Sequence, residues 1–153
     1  TVVANSESPV RITIPKINVD AVVEPVGLTA DGAMDAPKGP AETGWFSLGV
    51  RPGEVGSSVI AGHSGWKNNI PASFDELNKL RVGDKVSVTD DNGVITTFIV
   101  RKIQTYDPNA DASDVFGSSD GKAHLNLITC EGVWDKISRS SSERLVVFTD
   151  KEE

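Results

Sequence analysis

The chain has 153 residues, with 38% hydrophobic residues, 24% charged residues and a formal net charge of -7. This length predicts one domain, with a core large enough to fold without disulfides. The acidic balance argues against a nucleic-acid or anionic-membrane partner, because phosphate groups are bound by clustered Lys and Arg, and no apolar run is long enough to span a bilayer. Residues 1–9 lack the features of a signal peptide and are predicted to form a flexible segment before a domain at 10–153.

Short β-forming runs separated by turn residues dominate the chain. The predicted strands lie at 10–14, at 19–26, in SSVIAGHS (57–64), on both sides of Asn92-Gly93, in HLNLITCEG (124–132) and in RLVVFTDKE (144–152). The Asn92-Gly93 pair predicts a β-hairpin in which both central turn residues have positive φ.

One short helix is predicted in ASFDELNKLRVGD, where Ser73 and Glu76 have the spacing of a capping box. Its apolar face would consist of Phe74, Leu77 and Leu80. The segment 111–119 has the composition for one more helical turn. Many short strands with one or two short helices predict an all-β fold, a closed or nearly closed β-barrel, with a β-sandwich as the alternative.

Cys130 is the only cysteine, so it has no partner for an internal disulfide. An inert buried thiol, an intermolecular bridge and a reactive nucleophile are the three possible interpretations. Strand alternation predicts that Cys130 is the last residue of its strand, on the same face as His124, Asn126 and Ile128. A position beside a loop favours the nucleophile over the inert thiol.

A cysteine nucleophile needs an acid or base nearby, most often a histidine, and the chain has two. His124 lies roughly 20 Å from Cys130 along a continuous strand, at about 3.3 Å per residue, which predicts a surface or strand-start role instead. His63 ends another strand and is the remaining candidate, although a polar loop histidine would give the same pattern.

Arg144 begins the last predicted strand. If this strand pairs antiparallel with the strand that ends at Cys130, Arg144 lies close to Cys130. The connection at 131–143 is longer than a typical hairpin loop, and long loops in compact domains are often functional. Arg144 is therefore a candidate donor to an oxyanion or to a substrate carbonyl, with a surface ion pair as the alternative.

Three motifs and their flanks resemble the sortases, the cysteine transpeptidases of bacterial surfaces. LITCEG, around Cys130, resembles the TLxTC signature, with Asn126 in place of its leading Thr. IAGHSGW resembles the segment of the catalytic histidine, and SERLVVF resembles the closing arginine strand. The flanks at 11–34 and 44–65 look like the class F branch, and the resemblance extends from Val10 to Phe148.

The resemblance implies an eight-stranded barrel that cleaves an LPXTG-like sorting signal between Thr and Gly. It implies a thioester on Cys130, acid–base catalysis by His63, and an oxyanion or peptide contact by Arg144. No cofactor is expected, and no metal, because the acidic residues lack the spacing of a calcium site. The implied partners are the sorting signal of a surface protein and an amine from a peptidoglycan precursor or a pilin, while the oligomeric state is open. The implied location is the bacterial cell surface outside the cytoplasm, with a membrane anchor in an N-terminal segment that precedes the given sequence.

Three further residues are candidates for substrate binding. Thr129 matches the Thr of the signature and either shapes the pocket or packs against the barrel. Trp66 and Trp134 follow His63 and Cys130 in the loops, where an exposed Trp contacts peptide or caps the barrel.

Other classes of protein share parts of this pattern. A purely hydrolytic cysteine peptidase would carry the same triad. A non-catalytic β-barrel binding module would carry an inert Cys130. A zinc site of His63, His124 and Cys130 is disfavoured by the distance between His124 and Cys130, and structural zinc usually takes four ligands.

Overall fold

The computed structural model describes residues 8–28, 30, 34–35, 37–64, 70–106, 115, 120–131 and 144–152. These residues contain eight β-strands, which in chain order are β1 (Pro9–Ile14), β2 (Val19–Val26), β3 (Thr43–Phe46), β4 (Gly56–Ser64), β5 (Lys85–Asp90), β6 (Ile95–Tyr106), β7 (Ala123–Glu131) and β8 (Arg144–Lys151). They form one closed barrel, which confirms the predicted fold class and excludes the sandwich.

Around the barrel the strand order is β1-β2-β3-β4-β7-β8-β6-β5, and the pairing of β5 with β1 closes the ring. Two neighbouring pairs are parallel, β2 with β3 and β4 with β7, and the others are antiparallel. The parallel pair β4–β7 matters most for function, because parallel strands bring their carboxyl ends to the same edge of the sheet. These are the ends that carry His63 and Cys130.

The predicted strands are confirmed, with small differences at their ends. Strand β7 continues one residue past Cys130, to Glu131. The short strand β3 was not predicted from the residue pattern, because four residues give too little alternation to recognise. It is nevertheless essential to the topology, since it links β2 to β4.

The turn between β5 and β6 differs from the prediction. Gly93 has a positive φ of 83°, but Asn92 does not have a positive φ. The carboxylate of Asp90 accepts hydrogen bonds from the main-chain N–H groups of Asn92 and Val94, both at 2.9 Å. This carboxylate organises a longer turn in place of the two-residue turn that Asn-Gly predicts.

The predicted helix at 73–80 is wrong in type, since the segment forms turns and a short 3₁₀ helix at Leu77–Lys79. Tertiary hydrogen bonds replace the helical ones: Ser73 N–H donates to Pro40 O at 2.8 Å and Phe74 N–H to His63 O at 2.9 Å. The buried residues are three apart, which suits a helix with three residues per turn. They are Phe74, Leu77 and Leu80. No helix among the described residues is long and apolar enough to cross a membrane.

Two apolar clusters lie on opposite faces of the barrel wall, one inside the barrel and one outside it. The inner cluster includes Leu125 and Leu127 of β7, together with Phe74 and the residues of its turn. The outer cluster covers β4, β7 and β8 and consists of Val59, Ala61, Tyr106, Val115, Ile128, Val146 and Phe148, with Met34 and Phe46 against it. Alternate residues of the same strands therefore serve two separate cores.

Candidate active site

The ends of β4 and β7 bring the two principal candidates together. In the parallel register of these strands, His63 and Cys130 are direct Cα partners. Neighbouring strands lie about 4.8 Å apart, so the two main chains are adjacent at this point. His124, in contrast, pairs with Ser57 at the other end of β4. His63 is therefore the histidine level with Cys130, and His124 lies at the far end of these strands.

The predicted antiparallel pairing of the last two strands is also present. Strand β8 pairs with β7 in a register that ends at Ile128↔Val146. Arg144 lies two residues beyond this pair on β8, as Cys130 does on β7. Arg144 is the first residue of β8, and its other neighbour is Tyr106 on β6. Positions 63, 130 and 144 thus meet at one edge of three consecutive strands, β4, β7 and β8.

The imidazole of His63 is buried, with 6% of the residue exposed. Its Nε2 lies 2.7 Å from the main-chain carbonyl oxygen of Pro37. Pro37 belongs to the connection between β2 and β3, and it is itself buried. A carbonyl oxygen can only accept a hydrogen bond, so Nε2 carries a hydrogen and donates.

Gly62 allows a close approach just before His63. A Cβ atom at this position would lie 2.7 Å from the ring of Phe74 and 2.9 Å from Ser73 Oγ. The Phe74 ring thus packs against the bare backbone of β4. The main-chain hydrogen bond from Phe74 N–H to His63 O also holds the Phe74 segment against β4. Gly62 does not have a positive φ, so its backbone conformation does not require glycine. Glycine is required because it leaves room for the Phe74 ring.

Thr129, a predicted substrate contact, faces the interior with Leu125 and Leu127 and is 5% exposed. Its Oγ1 accepts a hydrogen bond of 3.0 Å from the main-chain N–H of Leu145. Leu145 follows Arg144 directly, so this bond links β7 to β8 beside the candidate site. Trp66 and Trp134, the other two predicted contacts, lie outside the described residues.

His124 occupies the opposite end of β7 and is 5% exposed, so the prediction of a surface residue is wrong and that of a strand-start residue is confirmed. Its Nδ1 lies 2.7 Å from Asp150 Oδ1, and its Nε2 lies 2.7 Å from Asp120 Oδ2. Arg101 Nε donates to the same Asp150 oxygen at 2.9 Å. These contacts place His124 in a hydrogen-bonded cluster with Asp120, Asp150 and Arg101.

Among the described residues, no group of three or more His, Cys, Asp or Glu side chains could hold a metal ion. Sequence reasoning did not identify Pro37 or Gly62 as parts of the site. Pro37 acts through a main-chain carbonyl, for which side-chain identity gives no signal. Gly62 gave a weak signal, because a glycine in a strand next to a candidate residue is typical of a close backbone approach.

Comparisons with known proteins agree with this geometry. A model of the family described as Sortase domain matches residues 12–152. A search of curated proteins finds no match. Among solved structures, sortase C-1 from Actinomyces oris has 26% sequence identity and a TM-score of 0.72, over 95% of this chain and 76% of that one.

Two further solved structures are similar. The Sortase D5 transpeptidase of Clostridium perfringens has 25% identity and a TM-score of 0.69, over 95% of this chain and 79% of that one. A lid mutant of sortase A from Corynebacterium diphtheriae has 24% identity and a TM-score of 0.72, over 99% of this chain and 74% of that one; at this identity the likeness concerns the fold alone. The class F resemblance has no counterpart among these three structures.

Proposed function

We propose that Cys130, His63 and Arg144 carry out acyl transfer in this protein. The chain belongs to the sortase family of cysteine transpeptidases. The observation that carries this proposal is the β4–β7 register, in which His63 and Cys130 are direct partners. Strand alternation predicts that Cys130 lies on the outer face with Ile128, and Arg144 on that face with Val146 and Phe148. His63 lies on the same face of the barrel wall, with Val59 and Ala61.

The proposed reaction exchanges one amide bond for another. The Cys130 thiolate attacks the carbonyl carbon of Thr in the sorting signal, and the tetrahedral oxyanion collapses with cleavage of the Thr–Gly bond. The leaving amine takes a proton from His63, and a thioester remains on Cys130. The incoming amine attacks the thioester and gives a proton to His63, which releases the thiolate and the new amide. A free thiol has a pKa of about 8.5, so a nearby cation would raise the thiolate fraction at neutral pH.

Arg144 is assigned to the oxyanion or to the peptide beside it. Its position at the start of β8, two residues beyond the Ile128↔Val146 pair of the antiparallel β7–β8 ladder, supports this role. A guanidinium offers several N–H donors in a planar fork, which suits a developing oxyanion or two peptide carbonyls.

Three further residues are proposed to shape the substrate groove. Thr129 would act from the inner face, where its hydroxyl accepts the Leu145 N–H bond that joins β7 to β8. Trp66 and Trp134 would contact the peptide from the loops that follow His63 and Cys130. Residues 10–153 would form the catalytic domain.

The substrates, the sortase class and the cellular location are proposed as well. Sortases act on LPXTG-type surface proteins, and we propose such a signal as the acyl donor, with an amine of a peptidoglycan precursor or a pilin as the acceptor. The relative named sortase C1 of a GBS pilus island supports the pilin acceptor as a candidate. The flanks at 11–34 and 44–65 support class F. We propose attachment to the outer face of the bacterial membrane.

The test is incubation of the protein with a library of LPXTG-like peptides, with and without triglycine or hydroxylamine as the amine, read by mass spectrometry. A sortase gives a new amide or hydroxamate at the Thr carbonyl, and a peptidase gives the free acid in both cases. Cys130→Ala should give neither product nor adduct while it keeps the wild-type circular dichroism spectrum. If the wild-type protein forms no Cys130 adduct with any peptide, the proposal is wrong and the barrel is a binding module.

A further inference from the structure

One peptide group in the β2–β3 connection touches both His63 and a carboxylate. The carbonyl of Pro37 accepts the hydrogen bond from His63 Nε2 at 2.7 Å. The next N–H along the chain, that of Lys38, donates to Glu24 Oε2 at 3.1 Å. The carbonyl and this N–H belong to the same planar unit, so its orientation is fixed from both sides.

The order of strands explains why Glu24 can reach this group. Glu24 lies on β2, where it pairs with Gly44 of β3, and Thr43 beside it pairs with Gly62 of β4. A Cβ at Gly44 would lie 2.8 Å from Val26 Cγ1 and 3.5 Å from Pro37 Cδ. Pro37 therefore packs at van der Waals distance from Gly44 on β3, and its peptide lies between Glu24 and His63.

The contact at Pro37 selects one tautomer of His63. Because Nε2 donates to a carbonyl, the neutral ring carries its hydrogen on Nε2 and its lone pair on Nδ1. Nδ1 is then the nitrogen that exchanges a proton during the reaction. A carboxylate bound to the N–H of a peptide polarises that peptide and strengthens its carbonyl as an acceptor.

We propose that Glu24 is a positioning residue for His63, which it orients through the Pro37–Lys38 peptide. The inference is built on the proposed acid–base role of His63 and adds a residue to it. Glu24 thereby takes the part that a buried carboxylate plays when it binds a catalytic histidine directly, with a peptide group inserted between the two. The alternative is that Glu24 only fastens the β2–β3 connection, in which case its loss affects stability and leaves the tautomer unchanged.

The test compares Glu24→Ala and Glu24→Gln with a matched control, Glu54→Ala. Glu54 also accepts a main-chain N–H bond, from Arg51 at 2.8 Å, but it lies in the loop before β4, at the opposite end of that strand from His63. The first readout is kcat and KM for the best peptide of the library with hydroxylamine. The second is the ¹⁵N spectrum of the histidine rings, which is simple because the chain has two histidines and His124→Gln assigns one of them.

We expect Glu24→Ala to lower kcat by about ten-fold with little change in KM, because the ring loses its orientation while the peptide site remains. Its ring spectrum should change from the Nε2–H tautomer to a mixture. Glu24→Gln should recover most of kcat, since the amide oxygen still accepts the Lys38 N–H bond. Glu54→Ala should match the wild type in both readouts.

Two outcomes separate this inference from the proposed function. A Glu24→Ala variant with an unchanged ring spectrum overturns the positioning role, whatever its activity. A His63→Ala variant that keeps full turnover overturns the proposed role of His63, and the ring spectrum of Glu24→Ala then still decides whether Glu24 orients the imidazole. A changed spectrum together with a ten-fold loss of kcat supports both.

Discussion

The two histidines lie at opposite ends of the same pair of strands, and they are almost equally buried, at 6% for His63 and 5% for His124. Their partners differ. His124 has a carboxylate at each ring nitrogen, from Asp150 and Asp120. The Nε2 of His63 binds a neutral main-chain carbonyl instead. Burial alone therefore does not distinguish a structural histidine from a candidate catalytic one.

The chemistry of the partners accounts for the different roles. When both nitrogens of His124 carry protons, each hydrogen bond to a carboxylate is charge-assisted, which makes the ring a firm cross-link between β7 and its neighbours. A ring held in this way has no nitrogen left for a substrate. At His63 a carbonyl fixes one nitrogen and one tautomer, and strand pairing sets the residue beside Cys130 in the sheet. The same residue type thus belongs to a carboxylate cluster at one end of the barrel and to the candidate active site at the other.

The largest expected contrast is between the two histidine variants. His63→Ala should lower kcat by about 10²–10⁴, the usual contribution of an acid–base group, because the leaving amine then departs without a proton. His124→Gln should leave kcat within about two-fold of the wild type but lower the free energy of unfolding by about 1–3 kcal/mol, because buried polar contacts are lost. The measurements are steady-state kinetics with the library peptide and urea denaturation.

A reversed result would overturn the assignment of the two ends. If His124→Gln abolished turnover in a protein that is still folded at the assay temperature, the catalytic histidine would have been chosen wrongly. Cys130→Ala is the reference for zero turnover in both series.

The sequence argument distinguishes the two histidines by their distance from Cys130. A distance of six residues along one strand removed His124 from consideration, and the parallel register of β4 and β7 agrees with that argument. Its burial and its two carboxylate partners could not be predicted, because Asp120 and Asp150 come from a turn and from another strand. Periodicity describes one strand at a time, whereas partners across a sheet depend on the register.

The second contrast concerns the two arginines next to these ends. Arg144→Ala should reduce kcat/KM by about 10²–10³, the loss typical of one oxyanion donor. Arg144→Lys should recover only part of it, because an ammonium lacks the planar fork. The matched control is Arg101→Ala, since Arg101 pairs with Asp150 beside His124. Equal losses for Arg101 and Arg144 would indicate a general effect on the barrel.

The third contrast uses two glycines and sharpens the account of the His63 end. Gly62→Ala should lower the free energy of unfolding by about 1–3 kcal/mol, because the new Cβ would overlap the Phe74 ring. It should also lower kcat, since Phe74 N–H is bonded to His63 O. Gly121→Ala, next to Asp120, has open space but a φ of 76°, and should cost about 1–2 kcal/mol with no change in kcat. An unchanged kcat in a destabilised Gly62→Ala protein would separate the Phe74 packing from catalysis.

The same region shows where sequence reasoning failed. The pattern of Phe74, Leu77 and Leu80 predicted an α-helix, since apolar residues at this spacing fit both helix types over two turns. At the start of the segment, the N–H groups of Ser73 and Phe74 donate to Pro40 O and His63 O instead of to helical acceptors. The segment therefore forms the tighter 3₁₀ helix. These acceptors come from other parts of the chain, so the local pattern could not reveal them. The strand network was predictable because its signals are local and repeat along each strand.

The smallest expected contrast lies within the His124 cluster and tests whether that end is a network or a set of separate pairs. Asp150 accepts from both His124 and Arg101, while the side chain of Asp120 is 50% exposed. Asp150→Ala should therefore lower the free energy of unfolding by about 1–2 kcal/mol, and Asp120→Ala by about 0.5–1 kcal/mol, because water replaces an exposed carboxylate more readily. Urea denaturation at pH 7 in 0.1 M and 1 M NaCl measures both values, and the Asp120 effect should fall more at high salt. In a network the double variant loses less than the sum of the two single losses, since His124 keeps only one partner in each single variant. Strict additivity would mean that the two carboxylates act separately and that His124 is not a cross-link.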